Sequence, residues 1–174
     1  MSYQDLLANS KIHLSRFPGE QKTNSNTYIF TEGARWMTQR LNELDGGQRH
    51  FDPLLPYERY GYFKYIFCLS CFLLSAGVFW TNAIFLIPLA VVVFYFFEIH
   101  LLFLFPLLIG GVDHPIAKSI RMTYQIGIFT TLKTIIPIGV FMVLGLFRRQ
   151  HPLKNWYLGC LAVLIWYVDE RDEL

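Results

Sequence analysis

KYIFCLSCFLLSAGVFWTNAIFLIPLAVVVFYFFE, residues 64–98, carries no formal charge between Lys64 and Glu98. About 20 consecutive apolar residues suffice for one helical crossing of a bilayer, so this run has room for two. Thr81 and Asn82, after Trp80, supply the polar break. A turn that short forces the two helices into a tight antiparallel hairpin. No soluble core hides so long a contiguous apolar surface. The fold expected is all-α: a polytopic membrane protein of about four apolar helical segments, preceded by a polar, partly helical N-terminal head.

Working outward, the first span is expected over 60–80 and the second over 83–109, where Pro88 and Pro106 can bend the helix. GGVDHP (110–115) has turn chemistry. IAKSIRMTYQ after it is amphipathic and interfacial in character. A third span is expected over 126–147. The last apolar segment, Asn155 to Val168 or 153–168 with Pro152-Leu153 leading in, is short. At the α-helical rise its Asn155–Val168 part reaches only about 21 Å, so it is expected as a short crossing or a re-entrant helix. Tyr57, Tyr60 and Tyr62 suit the headgroup level. Residues 59–174 thus read as the membrane domain.

Residues 1–58 read as the polar head, cytoplasmic by the charge rule below. Ser2 and Asp5 are placed to cap a first helix. PGEQKTNSNT (18–27) reads as a loop. An amphipathic helix is expected over about 31–44, with Met37, Leu41 and Leu44 at helical spacing, Trp36 beside them, and Gly46-Gly47 as its stop. Arg35, Arg40 and Arg49 lie nearby, so this helix either rests on the membrane surface or packs on the chain's own membrane domain.

Composition agrees. Of 174 residues, 53% are hydrophobic and 16% charged, against roughly 25% charged in soluble domains. Most of the charge falls before Arg59 and after Arg148. The net charge of +2 and the lack of any Lys/Arg block argue against a nucleic-acid partner. The apolar sequence begins only near Tyr60, so the first span is expected to act as an uncleaved anchor. Lys/Arg near the span ends favour Arg59, Lys64, Lys118 and Arg121, with Arg49 farther off, over Arg148, Arg149 and Lys154. The expected orientation is N-terminus and C-terminus cytoplasmic.

Glu98 is the most unusual residue, a lone carboxylate in an apolar helix, where a charge costs about 2.5–3.5 kcal/mol on insertion scales. Lys133 is the matching oddity in the third span. Each lies about ten residues from the 110–124 joint, so an intramembrane Glu98–Lys133 ion pair is expected. His100, two residues on, points to the opposite helix face from Glu98. Weak metal candidates are His100, His114 and His151, but they sit on distant segments, and no metal site or cofactor is expected. Cys68-Leu-Ser-Cys71 has redox spacing. Cys68, Cys71 and Ser75 instead form a small-residue stripe of the kind that lets membrane helices pack closely. Three cysteines in apolar segments make no disulfide framework.

Catalysis needs several convergent ionisable groups, and the apolar region holds few. The function expected is a small integral-membrane accessory or scaffold subunit, with a membrane-protein partner or a second copy of itself beside the bilayer. The alternative is a membrane-embedded enzyme acting on a lipid or other apolar substrate, with Glu98, Asp113 and His114 as candidate catalytic residues. A transporter or channel subunit, its polar path lined by Glu98 and Lys133, is the third class. The compartment expected is the bacterial inner membrane. The terminal Arg171-Asp-Glu-Leu174 resembles a lumenal retention signal and keeps the endoplasmic reticulum open.

Overall fold

The computed structural model describes residues 2–16, 28–147 and 153–172. The loop expected over 18–27, together with Arg148, Arg149 and His151, lies outside them. Among the described residues every regular element is helical and no strand occurs. Among the described residues three stretches are long and apolar enough to cross a membrane: Tyr57–Asn82, Ile84–Ile109 and Ile128–Leu146.

Helix α1 (Tyr3–Arg16) begins at a reciprocal cap. The Asp5 N–H donates to the Ser2 hydroxyl at 3.3 Å, and the Ser2 N–H donates back to the Asp5 carboxylate at 3.2 Å. Helix α2 (Ile29–Asp45) ends at Gly46, whose φ of 66° is the left-handed cap conformation that glycine adopts without strain. Its N-terminus is held from outside: Glu58 of the next helix accepts the Thr31 N–H at 2.9 Å. A carboxylate there also meets the positive end of the helix dipole.

Helix α3 (Tyr57–Asn82) and α4 (Leu89–His100), joined through a 3-10 turn at Ile84–Leu86, form the expected hairpin. Phe67 meets Phe97, and Phe72 meets Phe94, edge to face. These pairs count outward from the turn in opposite directions, as antiparallel helices require. The outer faces stay apolar and exposed, among them Leu69, Leu73, Leu74, Val91 and Val92. Tyr57, expected at the headgroup level, is instead buried and stacked on Phe51.

The second apolar segment departs from the expected continuous helix. It breaks at Leu101–Phe103 and resumes as α5 (Leu104–Ile109). Pro106 explains the break: it has no N–H for the carbonyl four residues back, and its ring crowds that carbonyl. From Leu101 to Ile109 every residue is buried, so this piece is protein core. Helix α6 (Pro115–Ile126) then closes the end of α4. The Ser119 hydroxyl donates to the His100 carbonyl at 2.8 Å, and the Thr123 hydroxyl donates to the Ile99 carbonyl at 2.7 Å. Away from water an unmet carbonyl is costly, and Ser/Thr side chains are a common remedy at broken membrane helices.

Helices α7 (Ile128–Leu146) and α8 (Lys154–Asp172) form a second antiparallel pair. Their approach is close because the contact positions are glycines. A Cβ at Gly145 would collide with Asn155, and one at Gly159 with Met142. The last apolar segment thus becomes a helix longer than the apolar run, and it is enclosed. Leu158, Leu161, Ala162, Leu164, Trp166 and Tyr167 are buried, and α1, α2 and α7 pack around them. Trp166 and Tyr167 close on Phe103 in the break, at 5.7 and 6.0 Å. The amphipathic helix α2 packs on α8, α3 and α5.

The α4 end draws on two hydroxyls: Ser119→Ala with Thr123→Val takes the side-chain donor from the His100 carbonyl and from the Ile99 carbonyl, the latter keeping the Leu102 N–H at 3.2 Å. The unsatisfied His100 carbonyl should cost about 1–3 kcal/mol, and the Ile99 carbonyl less, read as a fall in melting temperature in detergent. Tyr124→Phe, on the exposed side of α6, should leave it unchanged. Equal stability of the double variant and the parent would refute this account of the break.

Candidate functional site

Lys64 and Glu98, the two charges that bound the charge-free run, meet each other. Lys64 Nζ lies 2.9 Å from Glu98 Oε1, with the side chains 6% and 15% exposed. Helix α3 carries the lysine eight residues into its length and α4 carries the glutamate in its last turn. An anion at a helix C-terminus faces the negative end of the dipole, so the ammonium offsets that as well as the burial. The Lys64 ammonium also sits over the Tyr65 ring at 5.6 Å. Cys68, one turn along, is fully buried, while Cys71 and Ser75 are half-buried.

The Glu98–Lys133 pair expected from the sequence does not form. Lys133 is exposed on α7, and Glu98 has Lys64 instead. Both helices carry a charge, but Lys133 occupies an outward face. Sequence held a signal for the true partner: Thr81, at the hairpin tip, is midway along the chain between Lys64 and Glu98. Folding the charge-free run on itself therefore brings its bounding charges together.

The other candidates stay apart. The His100 ring donates through Nδ1 to the Phe96 carbonyl, 2.6 Å away, and packs against Tyr124 at 5.6 Å. Asp113 and His114 are exposed in the turn before α6. His114 holds φ 53°, a left-handed conformation uncommon outside glycine. Among the described residues no group of three or more His, Cys, Asp or Glu is placed to hold a metal. His151 lies outside the described residues.

Two polar clusters escaped the sequence reading. Arg40 of the amphipathic helix is 1% exposed and pairs with Glu43 at 2.6 Å. Its guanidinium lies 5.7 Å from the centre of the Trp36 ring. His13 of α1 comes near the same carboxylate; burial pulls its pKa down, and Glu43 pulls it back up. The second cluster is Asp45 with Arg49 at 2.6 Å and Arg171 of α8 at 3.0 Å. The hydrogen bond from Arg49 holds the Asp45 carboxyl well below the usual range, against the burial that would raise it. Through it the end of α8 is tied to the end of α2. The Arg40–Glu43 and Asp45–Arg49 pairs are local in sequence; helical packing adds His13 to the first cluster and Arg171 to the second.

Two shallow clefts open beside these clusters. One of about 460 Å³ is lined by Arg35, Thr38, Asn42, Glu43, Arg49 and His50. The other, about 340 Å³, is lined by Asn9, His13, Arg16, Glu43 and Ile165. Neither includes Glu98, Asp113 or His114. A closed ion pair offers no free base or nucleophile, and the remaining ionisable candidates do not converge. No family model, no curated protein and no solved structure matches the chain.

Because each buried charge answers the other, losing one should hurt more than losing both. Lys64→Met or Glu98→Met alone should cost about 3–5 kcal/mol, while the two together should be nearly neutral. Lys133→Met should match the parent. The measurement is thermal unfolding in detergent of all four variants, and additive single losses would show that the pair is not coupled.

Proposed function

We propose that the protein is a multi-pass integral membrane protein that serves as a small accessory or scaffold subunit of a membrane complex. The observation that carries this reading is the exposed apolar surface. The most apolar stretch of α3 is 11% buried, that of Ile84–Ile109 17%, and that of α7 28%. Helices so apolar and so little covered need lipid or another protein around them. Inside, the polar groups are spent on holding the helices together. That favours a structural role over catalysis.

In this reading α3, α4 and α7 face lipid, and α8 makes the return pass enclosed by its own chain. Its 19 residues give about 28 Å at the helical rise, close to the roughly 30 Å of a hydrocarbon core. Protein cover explains how it tolerates Asn155 and a charged end. The tie between Asp45 and Arg171 supports both termini on one side. The excess of Lys/Arg at Arg59, Lys64, Lys118 and Arg121 supports that side being the cytoplasm. The compartment proposed with this reading is a bacterial inner membrane. The partner is a second membrane protein or another copy of this chain.

Purification in mild detergent should bring a stoichiometric membrane-protein partner, or a homo-oligomer, with the tagged protein. A monodisperse monomer holding one defined apolar small molecule would overturn the scaffold reading in favour of the enzyme.

Orientation is tested separately, in a cysteine-free background with an impermeant thiol reagent on intact cells. A cysteine at exposed Thr81 should label and one at exposed Asp52 should not. The reverse would invert the topology.

A further inference from the structure

We infer that the exposed face of α6 is a seat for anionic phospholipid headgroups; this rests on the membrane reading above. Helix α6 joins two apolar stretches and is fixed on one face only. Pro115, Ser119, Met122 and Thr123 are buried, and the last two hydroxyl-bearing positions are spent on α4 carbonyls. Lys118, Arg121 and Gln125 fall at i, i+3 and i+7, on a different face, and all three are exposed. Exposed His114 precedes them by one turn. Tyr124, 60% exposed beside His100, supplies the amphipathic ring common at headgroup level.

Two further observations point to an anion on this face. Neither Lys118 nor Arg121 has an ion-pair partner among the described residues, although Arg35 and Arg40 of α2, and Arg49 just after it, are all paired. And α6 is held rigidly, by hydroxyls that cap the end of α4, where that helix leaves its exposed apolar surface for the core. A fixed basic stripe at that level meets the headgroup layer, where the complementary charge is phosphate. Basic residues near an anionic leaflet strengthen binding about fivefold each.

The probe is a detergent-solubilised equimolar mixture of phosphatidylglycerol and phosphatidylcholine, with bound lipid counted by native mass spectrometry of the full chain. The parent should retain phosphatidylglycerol preferentially. Lys118→Gln with Arg121→Gln should reduce that preference about 25-fold, and Lys118→Arg with Arg121→Lys should keep it. Lys11→Gln, which removes an exposed charge from α1, should keep it too. Inorganic phosphate at matched ionic strength should not compete, which separates a lipid seat from a free-phosphate site. A parent without preference, a Gln pair that retains it, loss in Lys11→Gln equal to that of the Gln pair, or displacement by phosphate would each overturn the inference. If the parent is instead released from membranes by an alkaline carbonate wash, it is the membrane reading that fails.

Discussion

The ion pair between Lys64 and Glu98 sets the register of the apolar hairpin α3–α4. Two apolar helices with aromatic faces can slide past each other at little cost, because one lipid-like contact resembles another. A buried carboxylate cannot slide away from its ammonium without being left uncompensated. Fixing Lys64 opposite Glu98 also fixes Phe67 against Phe97 and Phe72 against Phe94. The close of α4 then falls where α6 can reach its last carbonyls.

From that point the chain changes surroundings. Up to His100 much of the segment is exposed, with Leu89, Val91, Val92 and Phe96 outward and Ala90 and Ile99 buried; from Leu101 to Ile109 every residue is buried. The switch needs a break in the backbone, and a break needs hydrogen-bond partners. Pro106 makes the break and Ser119 with Thr123 supply the partners. The freed segment carries Phe103 onto Trp166 and Tyr167, linking the hairpin to α8. Helices α1 and α2 complete the enclosure, so the polar N-terminal residues serve as the wall around an apolar helix.

This arrangement bears on function through what it leaves unused. Glu98, the residue most suggestive of chemistry, is neutralised, and His100 is fixed by its own helix and by Tyr124. What remains open is surface: apolar on α3, α4 and α7, basic on α6, and two shallow polar clefts over α1 and α2. Surfaces of these kinds suit contact with lipid and with other proteins, and the proposed scaffold role rests on them.

The sequence by itself determined the hairpin, the helical character, the Ser2–Asp5 cap, the Gly46 stop and the strangeness of Glu98. Those rest on local rules: the length of an apolar run, the chemistry of a cap, the cost of a charge among apolar neighbours. Only the tertiary structure decided that Glu98 meets Lys64 and not Lys133, because depth along a helix is readable from spacing but the face presented to a neighbour is not. It also decided that the end of the second apolar segment and the last short one are core. An apolar residue reads the same whether lipid or protein covers it, and only packing distinguishes the two. Likewise the spacing of Trp36, Arg40 and Glu43 on one helix is local, but the burial of Arg40 to 1% exposure is not, since it depends on which face of the helix the rest of the chain covers.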